Sequence, residues 1–263
     1  MTRPAAPPSP PSPPFLTADW RHLLMLNYEV EPDILGRYTP AGTELDTFDK
    51  MALVSIVGFR FLDTKLRGLA IPFHRDFDEV NLRFYVRRRA EDGWRRGVVF
   101  IKEIVPRLAI TWAARRLYNE NYVTLPMRHR VELGAGAAGA AGAAGAAGAA
   151  SGSVAYSWLF AGSWNSIQAS VAGAAADSEP GSEERFITEH HWGYTRQRDA
   201  GTLEYRVEHP RWRVWPAVDA RLSCDVAELY GEQFVASLSG SPRSAFVADG
   251  SSVSVYRGER IPL

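Results

Sequence analysis

From Glu79 to Arg89 the chain alternates without interruption, and that alternation commits it to β-sheet. Val80, Leu82, Phe84 and Val86 fall on one face, while Asn81, Arg83, Tyr85 and Arg87 fall on the other. Asp92-Gly93 supplies a tight turn, and Gly97 to Ile104 returns as the partner strand of a hairpin. The arginines at 87–89 and 95–96 flank this turn. They read as solvated strand ends, with a phosphate-binding patch as the sharper alternative.

Similar signals recur along the chain. Leu23 to Val30 and Met51 to Leu62 read as strands, the second rich in β-branched and aromatic residues. Ala155 to Ala161, Trp164 to Val171, Arg185 to Arg196 and Leu203 to His209 follow. Ala245 to Val247 and Val253 to Arg257, joined through Asp249-Gly250, read as a closing hairpin. Two stretches have helical spacing instead. Leu108, Trp112, Arg115 and Arg116, with Leu117, predict a helix after Pro106 that ends near Asn119-Glu120-Asn121. Asp225 with Glu228 forms a capping box for a helix to about Ser237. Between them Val123, Leu125, Met127, His129, Val131 and Leu133 share one face of a strand. Many strands with two helices predict a mainly β fold: a closed or nearly closed antiparallel β-barrel or cone, whose closure removes exposed edges.

One domain, residues 15–263, accounts for these elements. Residues 1–14 are a proline-rich tail expected to be disordered. Residues 134–152 hold a Gly-Ala-Ala run, read as an expanded loop joining two antiparallel strands. The chain's 263 residues, 46% hydrophobic, suffice for a large core. Acidic and basic side chains balance at 30 each, so no net field recruits nucleic acid or an anionic membrane. No apolar run approaches a membrane helix and the N-terminus has no secretory core, so a soluble, cytoplasmic protein is expected. The single cysteine, Cys224, excludes an internal disulfide and fits a reducing compartment. It precedes a helix start that can activate a thiol, but a small buried hydrophobe is the plainer reading. A homo-oligomer is left open.

Four runs carry a resemblance: Leu26-Asn27-Tyr28-Glu29-Val30, Glu79 to Arg87, Thr188-Glu189-His190-His191-Trp192-Gly193-Tyr194-Thr195, and Tyr205-Arg206-Val207-Glu208-His209-Pro210. In this order, over Phe15 to Ile261, the chain resembles the YqjF-like family of uncharacterised bacterial proteins. That family looks like a branch of the acetoacetate decarboxylase-like superfamily, whose fold is a β-barrel or cone around a small-molecule pocket. In acetoacetate decarboxylase a Gly-Arg-Glu helix leads to Pro-Lys-Lys, and the first lysine forms an imine. Ala114-Arg115-Arg116-Leu117 through Pro126-Met127-Arg128 is similar to that segment. The resemblance therefore puts Met127 where the nucleophilic amine stands and Arg128 where its neighbour stands. An imine mechanism needs an amine, and Lys50, Lys65 and Lys102 are the only lysines.

Several candidates follow for a ligand site. A pocket near Arg116, Met127, His129 and the Glu189, His190, Trp192 and Tyr194 strand would hold a small carboxylate or carbonyl compound, with Arg116 as bidentate anchor. Loss of affinity in an Arg116→Ala variant is the expectation. His129 or His190 acting as general acid or base on a keto acid or enol-type substrate is the enzymatic alternative. A filled barrel with a structural or interaction role is the third reading. Glu189-His190-His191 does not make a metal site, because adjacent strand residues face opposite sides, and no motif calls for a cofactor. Nor is there a serine nucleophile elbow.

Overall fold

The computed structural model describes residues 13–70, 73–107, 121–133 and 150–262. Most of the proline-rich tail, the bulk of the helix expected after Pro106 (with Arg116) and most of the Gly-Ala-Ala run lie outside the described residues. The chain opens with β1 (Leu16–Val30), a short helix α1 (Pro32–Gly36), β2 (Glu44–Leu45), β3 (Ala52–Leu66), β4 (Leu69–Ala70), β5 (Phe77–Ala90) and β6 (Gly93–Val105). The middle holds β7 (Tyr122–Thr124), β8 (Met127–Leu133), β9 (Ala150–Phe160), β10 (Ser163–Ala172) and β11 (Ala176–Asp177). Then come α2 (Glu183–Thr188), β12 (Trp192–Arg196), β13 (Thr202–Glu208) and β14 (Arg213–Ser223). Helices α3 (Val226–Tyr230) and α4 (Val235–Leu238) precede β15 (Ser244–Val255) and β16 (Glu259–Arg260).

Seven strands close into a ring in the order β13–β12–β6–β5–β3–β1–β15, and β15 returns to β13 at Val207–Val255 and Glu208–Ser254. Every pairing in the ring is antiparallel except β12 with β6. This agrees with the expected closed, mainly antiparallel sheet of few helices. Strand β14 pairs with β15 through Pro216 and then runs beside β10. It thereby starts a second layer, β14–β10–β9–β8, that folds over the outside of the ring.

The same strands therefore feed two cores. Val80, Leu82, Phe84 and Val86 pack in the outer core with Leu24, Ile56, Tyr156, Trp158 and Ile167. Met25, Val57, Phe59 and Tyr85 belong to the inner one. The tight fit of the outer layer shows at Gly58, where a Cβ would lie 2.6 Å from the Tyr156 ring. Tyr156 also donates its hydroxyl to the His22 carbonyl at 2.9 Å, tying β9 to β1.

Local readings differ in four places. Residues 185–196 do not form one strand: Ser182 accepts from the Arg185 N–H at 3.2 Å and starts α2, and β12 begins only at Trp192. Ser182 followed by two glutamates is an N-cap signature, which outweighs the weak alternation. The strand expected over 123–133 divides at Pro126, which has no N–H for a ladder. Its first part, β7, runs parallel to β6, and β8 crosses to pair with β9. Asp249-Gly250 is not a hairpin turn. Pairing to β1 continues on both sides of it, and Gly250 takes φ +78° opposite Arg21 within one long strand. The helix after Asp225 has the expected cap, with its carboxylate accepting from the Glu228 N–H at 2.9 Å, but breaks at Gly231, φ +107°.

The parallel seam that closes the ring depends on close backbone approach. A Cβ on Gly97 would lie 2.5 Å from the Trp192 carbonyl oxygen and 2.6 Å from the Tyr194 ring. Gly97→Ala should lower stability by about 1–3 kcal/mol, the usual cost of overpacking. Gly36→Ala, where a Cβ meets nothing within 4 Å, is the matched control. Urea unfolding midpoints compare the two, and equal midpoints would show that the seam tolerates a methyl group.

Candidate functional site

The ring encloses a cavity of about 210 Å³ lined by side chains from all seven of its strands. That is below the roughly 300–1,000 Å³ typical of drug-sized sites, so the space suits a small ligand. Strand register gives the cavity two distinct ends. Along β5, Phe77 stands opposite Phe61, Asn81 opposite Val57 and Arg83 opposite Ser55. Phe77 and Arg83 are thus separated by six residues, about 20 Å of strand.

The Phe77 end is aromatic. Phe61 and Phe77 stack at 4.5 Å, Trp20 meets Phe59 and Phe61 edge-on at 5.3 and 5.6 Å, and Trp212 lies 6.3 Å from Trp20. His209 stacks on Trp212 at 4.0 Å and donates Nδ1–H to the Pro210 carbonyl at 2.9 Å. Burial brings the His209 pKa down to about 4.

The other end is polar. Asn81 donates to Glu79 at 2.9 Å, and the Tyr122 hydroxyl donates to the same carboxylate at 3.3 Å. Arg83 is buried and directs one terminal nitrogen to Met25 Sδ at 3.8 Å. His190 donates Nε2–H to Asp46 Oδ2 at 3.1 Å, and Arg96 donates to the same oxygen at 2.5 Å. Tyr85 and Phe186 hold the imidazole between rings at 4.7 and 5.0 Å. Tyr85 is itself fixed by a buried chain, in which its hydroxyl donates to Ser55 and Ser55 donates to Asn27, each at 2.6 Å. Burial pushes the His190 pKa down to about 4; the Asp46 hydrogen bond opposes that shift, and the Arg96 and Arg83 charges reinforce it. Burial raises the Asp46 pKa, but the donors His190 and Arg96 overcome it and hold the carboxyl below its ordinary range. Asn81 Oδ1, Arg83 Nε and His190 Nδ1 are buried in the lining here with no hydrogen-bond partner among the described residues.

The residues singled out from sequence do not converge on one place. His190 and Trp192 line the cavity, and the Arg95 guanidinium covers Trp192 at 4.3 Å. Tyr194 turns to the outer core and donates to the Arg95 carbonyl at 3.2 Å. Glu189 pairs with Arg211 at 2.9 Å and Arg185 at 3.2 Å. Met127 packs against the outer core, and His129 sits beyond it, 2.9 Å from Asp78. Their separation follows from the break at Pro126. Arg116 lies outside the described residues. Lys102 points away from the cavity and donates to the Leu229 carbonyl, and burial lowers its pKa. Cys224 is not activated by its place before α3, since burial pushes its thiol up to about 12.

Arg83, Asn81, Asp46 and His209 were not among the candidates. Asn81 and Arg83 had a signal, being the polar face of the cleanest strand in the chain. A strand in mid-ring is covered on both sides, so its polar face must look into an interior. Asp46 had none, because its partner His190 stands 144 residues away in sequence.

The neutral histidines make stability pH-dependent. An unfolded imidazole titrates near 6.5, whereas His190 stays neutral in the fold down to about pH 4. Between these values the unfolded chain binds more protons. Stability should therefore be full above about pH 6.5 and fall towards pH 4, with His190 accounting for about 3 kcal/mol. Urea unfolding midpoints from pH 7.5 to 4.5 measure this, and a His190→Gln variant should flatten the curve.

The model of a family described as an uncharacterized conserved protein, DUF2071, matches residues 17–252. A Bacillus subtilis (strain 168) protein, uncharacterized protein YqjF, is 35% identical over 75 residues, 28% of this chain and 31% of that protein. The match thus spans about a third of that relative's length. Among solved structures, the enduracididine biosynthesis enzyme MppR complexed with pyruvate is similar at a TM-score of 0.63 and 13% identity, covering 95% of this chain and 91% of that one. The acetoacetate decarboxylase of Legionella pneumophila is similar at 0.60 and 12% identity, covering 100% and 92%. An acetoacetate decarboxylase-like enzyme of Sphingomonas wittichii RW1 is similar at 0.61 and 12%, covering 94% and 92%. Identities this low speak for the fold alone. With its ring of strands and its family match over nearly the whole length, the chain belongs to the DUF2071 family of uncharacterized conserved proteins and has an acetoacetate decarboxylase-like fold.

Proposed function

We propose that the ring cavity binds a small amphipathic acid, with its carboxylate on Arg83 and its apolar body beside Phe100, which stands opposite Arg83, pointing along the cavity towards the aromatic end. The observation that carries this reading is a buried guanidinium with an unused Nε–H in a cavity whose lining is mainly aromatic and aliphatic, with Glu79 and Glu103 as its buried carboxylates. A buried cation without a carboxylate partner within hydrogen-bond reach is costly, and an incoming carboxylate offsets that cost. Binding of pyruvate by MppR, which shares the fold, supports a ligand of this class.

The proposal excludes imine chemistry in this cavity. None of the three lysines lines it, and Lys102 is turned to the opposite side of β6. General-base catalysis by His190 gains support from the Asp46 pair, since a carboxylate commonly orients a catalytic imidazole. The low pKa of His190 weighs against it, because a base serving neutral pH works best near that pH. Binding without turnover is the reading favoured here.

Phenylacetate is a suitable probe, and the indole rings report its entry by fluorescence. Arg83→Gln should raise its Kd by about tenfold or more, as expected for one charged hydrogen bond. An unchanged Kd would remove Arg83 from the site. In a separate measurement, borohydride treatment with pyruvate should leave the intact mass of the protein unchanged. A trapped adduct would restore an amine mechanism.

A further inference from the structure

Among the described residues, the cavity's polar end holds a set of hydrogen-bonding atoms whose sense is fixed by their partners. A carboxylate can only accept, so Asp46 requires the proton of a neutral His190 to be on Nε2. Arg96, donating to the same Asp46 oxygen, keeps that carboxylate in place. The remaining nitrogen, Nδ1, is then a lone pair, and it is buried without a partner among the described residues. Asn81 is fixed similarly: its amide nitrogen donates to Glu79, which leaves Oδ1 as a buried acceptor also without a partner. His209 repeats the pattern, since Nδ1–H donates to Pro210 and Nε2 is left as the acceptor. Around Arg83, then, the lining offers one cationic donor and neutral acceptors on Asn81, His190 and His209, with the carboxylates of Glu79 and Glu103 buried in the same lining.

Those atoms are complementary to a carboxylate whose neighbouring carbon bears a donor, and they mismatch one that bears only a carbonyl. A hydroxyl gives its hydrogen to His190 Nδ1 or Asn81 Oδ1. A ketone oxygen at the same place faces lone pairs. A site built to receive a hydroxyl rejects the analogue lacking it, because its own buried acceptors then remain unpaired. Trp20 Nε1 and Thr64 Oγ1 also lack partners among the described residues, but the Trp20–Phe61 pairing places Trp20 level with the aromatic end, and Thr64 lies further still along β3.

We infer that the cavity selects 2-hydroxy acids with an apolar, preferably aromatic substituent over the corresponding 2-keto acids, with His190 Nδ1, held in its tautomer by Asp46, as the discriminating acceptor. The selection rests on the preceding reading that the cavity binds small acids, and sharpens it to a ligand class. Asp46 is a positioning residue in this account: it acts through the imidazole.

Mandelate, phenylglyoxylate and phenylacetate test it, since they share a ring and a carboxylate and differ at one carbon. Phenylglyoxylate has no enolisable hydrogen, so it stays a ketone. With the full chain at pH 7.5, mandelate should bind about tenfold more tightly than phenylglyoxylate, the equivalent of one net hydrogen bond. His190→Phe should bring that ratio close to one. Nitrogen-15 spectra of the wild-type imidazole should show the Nε2–H tautomer, a readout that needs no variant to fold. Equal affinities for mandelate and phenylglyoxylate, or an Nδ1–H tautomer, would overturn the selection and leave acid binding standing. If none of the three acids bound, the acid-binding reading would fall and the selection with it.

Discussion

Closure of the ring at one parallel seam is the constraint on which the remaining structure depends. Trp192 and Gly193 lie against Gly97 and Val98, and this short contact turns a meander of antiparallel hairpins into a continuous circle. Without it β6 would be an open edge at Gly97 and Val98, and β5 would lose its enclosed inner face. The seam works because glycine on each side lets backbone and aromatic rings approach: Trp192 and Tyr194 close over Gly97, and the Tyr205 ring lies over Gly193. Once closed, the ring presents a second apolar surface on its outside, and that surface is what the β14–β10–β9–β8 layer covers.

Much of the architecture was legible because periodicity reports directly on which residues share a face. The hairpin of β5 and β6 follows from alternation and turn chemistry in the residues themselves. The errors came where a local signal competed with a long-range partner. Asp249-Gly250 is a good turn sequence, but β1 runs past it on the neighbouring side and converts it into a bulge. Pro126 looked like one residue within a strand, yet it sends the chain from one layer to another. For the site, alternation found the correct polar face of β5 but could not say that this face was interior. The pairing of Asp46 with His190 depends on the whole ring closing and leaves no trace in spacing.

Electrostatics inside the ring is settled by competition between burial and pairing. Asp46 raises the proton affinity of His190, but full desolvation of the imidazole and two nearby guanidinium groups outweigh it. The result is a neutral ring with a defined tautomer. The opposite balance holds for Asp46, where two donors overcome desolvation. One carboxylate, one imidazole and two arginines thus divide into a charged set that holds geometry and a neutral acceptor beside the cavity.

The double burial of β5 also bears on how such a protein can diversify. Asn81 and Arg83 alternate with Val80, Leu82 and Phe84, so residues that line the cavity and residues that seat the outer layer are consecutive in the chain. A shift of this strand that re-aims the first set must also displace the second. New ligand preferences are therefore accessible through side-chain exchange at fixed backbone, and far less through movement of the strand. The aromatic end, where His209 and Trp212 stand beyond the end of β13, escapes that coupling. Descendants of this scaffold should vary most readily there, changing the shape of the ligand's body before they change how its head group is read.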